Sequence, residues 1–126
     1  MTRSIIKTDQ APEPVGPYSQ AIKANGWLYV SGQIPLDPAT GLLMEASFEY
    51  QVRKVLDTIK AILETGGSGL DRVVKVTIFL IDMDRFAELN AIYSEYFGES
   101  CPARACVEVS RLPRDAQVEI EAIALC

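Results

Sequence analysis

The chain has 126 residues, 48% of them hydrophobic and 23% charged, with a net charge of −5 and a sequence pI near 4.7. That is the composition of one globular domain over residues 1–126, with apolar material enough for a single core. It argues against a nucleic-acid binder, which carries a broad basic footprint, and against a membrane span, which needs about eighteen or more continuous apolar residues.

The opening MTRSIIKTDQAPEP lacks the apolar core of a secretory signal, so a cytoplasmic location is expected. Cys101, Cys106 and Cys126 form an odd set with no short-repeat framework, which fits a reducing compartment rather than a disulfide scaffold. Histidine is absent. Ser–His–Asp and Cys–His nucleophile arrangements and histidine-built zinc sites are thereby removed. Acid–base chemistry must come from Glu, Asp, Lys, Tyr, Cys, the backbone or bound water.

In chain order, residues 1–17 carry Pro12, Pro14 and Pro17 and are expected to form an irregular surface loop. Asn25-Gly26 lies between two strand-like runs and predicts a hairpin, because a type I′ turn needs positive φ at both central residues. PLDPATG is a turn cluster. From Ser47 to Glu64, Phe48, Val52, Val55, Leu56, Ile59, Ile62 and Leu63 recur at spacings of three and four, which predicts a helix. Ser47 is its expected N-cap and Gly66 its stop. The GGSG after it lacks the Walker spacing and ending, and reads as a helix-ending turn.

LDRVVKVTIFLID predicts a strand with Val74, Val76, Ile78 and Leu80 on one face and Val73, Lys75, Thr77 and Phe79 on the other. A second helix is expected from about Met83 to Phe97, capped by Asp82 or Asp84 and stopped by Gly98. ARACVEV is the next strand, RLPRDAQ a turn and VEIEAIALC the last strand. These elements are summarised as a ββαβαβ order. Two helices, each with one apolar stripe, would cover one face of a four-stranded sheet in a two-layer α+β domain.

The second sheet face carries the chemistry. On the alternation, Lys75 and Thr77, then Arg104, Cys106 and Glu108, then Glu119 and Glu121 are expected there, mixed with Val73, Phe79, Ile123 and Leu125. Either this face is solvated, or a second copy of the chain covers it. Arg104 offers a planar fork suited to a carboxylate, or pairs internally with Glu108 or Glu119. Cys106 has no histidine to activate it and reads as a lining thiol. Cys101 with Cys106 is too weak a pattern for a metal site. Tyr18 and Asn90 are unremarkable by themselves.

Four stretches carry a resemblance: APEPVGPYSQAI, LYVSGQIPLDPATG, VVKVTIFLIDMDRFAELNAIY and PARACVEVSRLPRDAQVEIEAIA. Nearly end to end, the sequence resembles the Rid (YjgF) family of reactive-intermediate deaminases, in particular its RidA branch. Cys101 stands where the family often has an aromatic residue before Pro102.

The resemblance implies a chorismate-mutase-like α+β fold and a homotrimer whose sheets form a central β-barrel, with sites in clefts between subunits. It implies hydrolysis of 2-imino acids and their enamines, such as 2-iminobutanoate and 2-iminopropanoate, to 2-keto acids and ammonia, without cofactor or metal. Arg104 would hold the substrate carboxylate, backbone groups at Cys106 would contact the imine end, and Glu119 would position water and move protons. Tyr18, Ser31, Gly32 and Asn90 would line the cleft, with Lys75 a weaker candidate. Two other readings stand beside it. One is a trimer that binds keto acids, RNA or client proteins without turnover. The other is a deaminase for another enamine, such as an aminoacrylate or aminomuconate.

Overall fold

A computed structural model describes residues 2–126. Six strands and two helices follow one another as β1 (Ser4–Ile6), β2 (Ala21–Ala24), β3 (Trp27–Gln33), α1 (Phe48–Thr65), β4 (Val73–Leu80), α2 (Phe86–Phe97), β5 (Ala103–Glu108) and β6 (Val118–Leu125). The strands form one sheet in the order β1-β2-β3-β6-β4-β5. The fold is α+β, with both helices on one face of the sheet. The order βββαβαββ corrects the expected frame twice: β1 lies within the 1–17 stretch expected to be irregular, and the ARACVEV and VEIEAIALC runs are two strands where the ββαβαβ order counts one. β1 is only three residues long, too short for a periodicity to announce it. The two final strands both join the sheet because β4 takes β5 on one edge and β6 on the other.

Local signals set most boundaries. Asn25 and Gly26 turn the β2–β3 hairpin with φ of 54° and 78°. Ser47 caps α1 by accepting the Tyr50 N–H at 3.2 Å. Gly66 closes α1 by donating to the Ile62 carbonyl at 3.0 Å, and Gly67 follows at φ 82°. Asp82 is the residue that caps the entry to α2, as its carboxylate accepts from Asp84 N–H in a single 3₁₀ turn.

α1 lays Val52, Val55, Leu56, Ile59, Ile62 and Leu63, all fully buried, on the sheet. Each such side chain contributes about 1.5–3 kcal/mol of apolar burial. Leu28, Val76, Ile78, Leu80 and Ile120 meet them from the strands, and Leu89, Ile92 and Phe97 of α2 close the layer. β4 and β5 are parallel neighbours across α2. β3 and β4 each pair antiparallel with β6, so they also run parallel to one another, with β6 inserted between them.

Two facial expectations are corrected. In β4 the register jumps from Val73↔Ala124 to Lys75↔Ile123, so Val74 is an extra residue. The bulge turns Val73 into the core and Val74 out of it. In β5, Arg104 stands beside Val76, Cys106 beside Ile78 and Glu108 beside Leu80. In-register neighbours share a face, so these three point toward the helix layer, and Ala103, Ala105 and Val107 take the open face. The alternation was right and the choice of inner face was wrong. β5 is an edge strand, and its small residues are not what the helices cover.

Ile5, Trp27, Tyr29, Val107 and Leu125 leave the open face of the sheet broadly apolar and exposed.

Candidate active site

Four of the expected residues come together in one cleft of about 380 Å³: Tyr18, Ser31, Gly32 and Glu119. Their convergence is built by a bulge in β3. The β3–β6 register passes from Val30↔Ala122 to Gln33↔Ile120, so Ser31 and Gly32 together stand against Glu121. Ser31 is freed from the ladder and tied to the segment before β2. Its N–H donates to the Gln20 carbonyl at 2.9 Å and its Oγ to the Ser19 carbonyl at 2.6 Å.

The proline-rich loop is shaped around one buried amide. Gln20 accepts from Thr8 N–H at 2.8 Å and donates to the Thr8 and Pro12 carbonyls at 3.1 and 3.0 Å. This holds Val15 and Tyr18 over the cleft, where the Tyr18 hydroxyl accepts from Val15 N–H at 3.2 Å.

Gly32 is required by close approach. A Cβ there would lie 2.9 Å from Cδ of Glu119 and closer still to Oε2. The glycine thus lets the carboxyl of Glu119 lie directly against the β3 backbone. Burial, and then the neighbouring charge of Glu121, push the Glu119 carboxyl above its ordinary range. A carboxyl so placed holds and releases a proton nearer neutrality than a solvated one.

Arg104, Cys106 and Asn90 are not in this cleft. They form a second cluster on the other side of the sheet. The Arg104 guanidinium lies over Tyr93 at 4.8 Å and Phe86 at 5.5 Å from the ring centroids. Among the described residues no acceptor pairs with it. Internal pairing with Glu108 or Glu119 is therefore corrected. Glu108 accepts from Met83 N–H at 2.8 Å at the start of α2, and Glu119 lies on the opposite face. The two rings fix the cation by stacking and leave its N–H fork free.

Asn90 lies four residues after Phe86 and three before Tyr93, on the helix face that carries both rings. Its Oδ1 and the Tyr93 hydroxyl are buried without a partner among the described residues. Burial, helped by Cys101 and opposed by Arg104, pushes the Tyr93 phenol up to about 12.

The Cys106 thiol is also pushed up by burial, against the pull of Arg104, and packs at the core margin. Its backbone is the more available part. Val109 N–H donates to the Leu80 carbonyl at 2.8 Å. By the two-residue period, Ala105 and Val107 then face β4, and the N–H and C=O of Cys106 point off the sheet edge. Lys75 is exposed on the open face and does not line the cleft.

Sequence reasoning missed Val15, Ile34, Pro113 and Glu121 in the cleft, and the two rings beneath Arg104. A helix spacing of seven between Phe86 and Tyr93 was a legible signal for the rings. Pro113 reaches the cleft from a turn in which Arg114 and Asp115 both take left-handed φ near 60°, and no local pattern marks that.

The family whose sequence model is described as Endoribonuclease L-PSP matches residues 8–126. A RutC family protein of Pyrococcus horikoshii is 57% identical, over 97% of this chain and 97% of its own length. A Rid protein family member, YyfA of Yersinia pestis, has a solved structure that superposes with a TM-score of 0.95 at 49% identity, over 99% of this chain and 100% of that one. RidA from an Antarctic Psychrobacter superposes with a TM-score of 0.94 at 44% identity, over 98% and 99% of the two chains.

Proposed function

The chain belongs to the Rid family, of the RutC and L-PSP type, and from that premise we propose that it hydrolyses 2-imino acids and their enamines to 2-keto acids and ammonia. 2-Iminobutanoate and 2-iminopropanoate are the proposed substrates. The observation that carries this reading is the Arg104 guanidinium, stacked on two rings with no internal carboxylate. Its open fork suits a substrate carboxylate.

The chemistry needs no covalent nucleophile, because the iminium carbon is already electrophilic. Arg104 holds the carboxylate by paired hydrogen bonds, and the outward backbone of Cys106 contacts the imine end. Water held by Glu119 forms the new C–O bond while its proton passes to the carboxylate. The carboxyl then returns that proton to the amino nitrogen. The C–N bond breaks as the carbonyl forms, the hydroxyl proton passes to the Glu119 carboxylate, and ammonia leaves. An enamine first takes a proton at C3, for which a carboxyl pushed up by burial is suited.

Arg104 and Glu119 lie on opposite faces of one chain's sheet, which favours a site shared between copies of a homotrimer. The exposed apolar residues of the open sheet face support such an assembly. An RNA-cleaving reading, which the matched family's description names, has less to rest on here: the chain is acidic and contains no histidine.

Ammonia and keto-acid release from freshly generated 2-iminobutanoate tests the proposal. Wild type is expected to accelerate hydrolysis and Arg104→Ala to lose the acceleration with its oligomeric state unchanged. Full activity in Arg104→Ala overturns the assignment. Binding of 2-ketobutyrate without turnover of the imine would favour a sequestering protein.

A further inference from the structure

The cleft carries a feature that imine hydrolysis alone does not require. Two carboxylates line it, Glu119 and Glu121, two residues apart on the open face of β6. Among the described residues no cationic side chain of the same chain lines it with them. The rest of its wall is the apolar Val15, Ile34 and Pro113, with Tyr18, Ser31 and Gly32. Glu121 sits against the β3 bulge and directly beside Thr77 of β4, with Lys75 one position further along the same face, and among the described residues it forms no ion pair.

We propose that Glu121 is a specificity-determining residue that excludes imino acids bearing a second carboxylate, restricting the cleft to monocarboxylic substrates with short uncharged side chains. This rests on the deaminase reading above. A substrate whose own carboxylate is held by Arg104 turns the remainder of the molecule toward the cleft. Its iminium nitrogen is cationic and is attracted by the pair. A second carboxylate would leave water among Val15, Ile34 and Pro113 while facing two like charges. Specificity of this kind comes from the repulsive element as much as from the attractive one. The field of Glu121 is already felt within the cleft, since its charge adds to burial in raising the neighbouring carboxyl. Glu121 is exposed in the single chain and outside its core, so its replacement leaves the chain's own packing intact.

The test compares 2-iminobutanoate with 2-iminoglutarate, each freshly made by an amino-acid oxidase, using wild type, Glu121→Gln and Glu121→Asp. Wild type is expected to accelerate the monocarboxylic imine and leave the dicarboxylic one near its uncatalysed rate. Glu121→Gln is expected to narrow the ratio of kcat/KM values by about tenfold or more, and Glu121→Asp to retain the discrimination. An unchanged ratio in Glu121→Gln overturns the proposal, as does equal acceleration of both imines by wild type.

Calorimetric binding of 2-ketobutyrate and 2-ketoglutarate separates this inference from the reading beneath it. Preferential binding of 2-ketobutyrate, lost in Glu121→Gln, supports the proposal even if neither imine is turned over. Equal binding of the two keto acids without turnover overturns it. Absence of both binding and turnover overturns it together with the deaminase reading.

Discussion

Arg104 and Glu119 point away from one another across a single sheet. Arg104 is in register with Val76 and reaches back over the rings of α2, while Glu119 is in register with Phe79 and opens into the cleft. A small substrate touched by both must meet them from different copies. Arg104→Ala and Glu119→Ala proteins, each inactive alone, are therefore expected to regain activity when unfolded and refolded together. Random mixing gives about a quarter of the wild-type rate, because each shared site draws one subunit of each kind by chance. No recovery in verified mixed oligomers would show that the site is not divided in this way.

Two glycines make a contrasting pair. Alanine at Gly32 meets the mobile end of Glu119, which can rotate away, so Gly32→Ala is expected to keep its Tm within a few degrees while losing about tenfold or more in kcat/KM. Alanine at Gly66 meets Cδ2 of the fully buried Leu28 at 2.6 Å, where nothing is free to move. Gly66→Ala is expected to cost about 1–3 kcal/mol with little change in activity per folded molecule. Thermal melts and kinetics on both variants read the contrast, and its reversal would mean that Gly32 is held by packing rather than by the carboxyl.

The Glu119 carboxyl is raised in the fold above its ordinary value of 4.5. Below that value it is protonated whether folded or unfolded, and its contribution is fully present. As pH rises from there through the raised folded value, the unfolded chain releases the proton more readily and stability is lost. Glu119→Gln cannot ionise. It is expected to melt above wild type at pH 7–8 and to converge with it below about pH 4. A constant difference across that window would mean that the carboxyl is not perturbed.

Cys106 is expected to be dispensable as a thiol. Burial raises it, and only its backbone faces off the sheet edge. Cys106→Ala should retain activity within about threefold of wild type. With a soluble alkylating agent at pH 7.5, mass spectrometry should find the exposed Cys101 labelled before Cys106. Faster labelling of Cys106, with matching loss of activity, would make it a nucleophile after all.

The elements were legible where a signal lies within four residues of what it controls. The three- and four-residue spacing of α1, its Ser47 cap, the Asn25-Gly26 hairpin and the alternation of β6 all belong to this class. So does the outward face of Glu119, because Val118, Ile120, Ala122 and Ala124 alternate with it along β6 and take the covered side. Beyond those, the resemblance to the Rid family named Tyr18, Ser31, Gly32, Asn90, Arg104, Cys106 and Glu119 for one site; the structure brings Tyr18, Ser31, Gly32 and Glu119 into one cleft and leaves Asn90, Arg104 and Cys106 on the other side of the sheet.

What only the tertiary structure decided were the facts that depend on a partner distant in sequence. Alternation divides β5 into two faces without saying which one a helix will cover. That is settled by the register with β4 and by Phe86 and Tyr93, which accept a stacked guanidinium in place of an apolar side chain. The bulges at Val74 and at Ser31-Gly32 exist only relative to β6, since an extra residue is extra only against a paired strand. The cleft joins the 15–18 loop, the β3 bulge, Pro113 and β6 across a hundred residues of chain. Local chemistry decides how a segment folds and which residues share a side; long-range pairing decides what that side will meet.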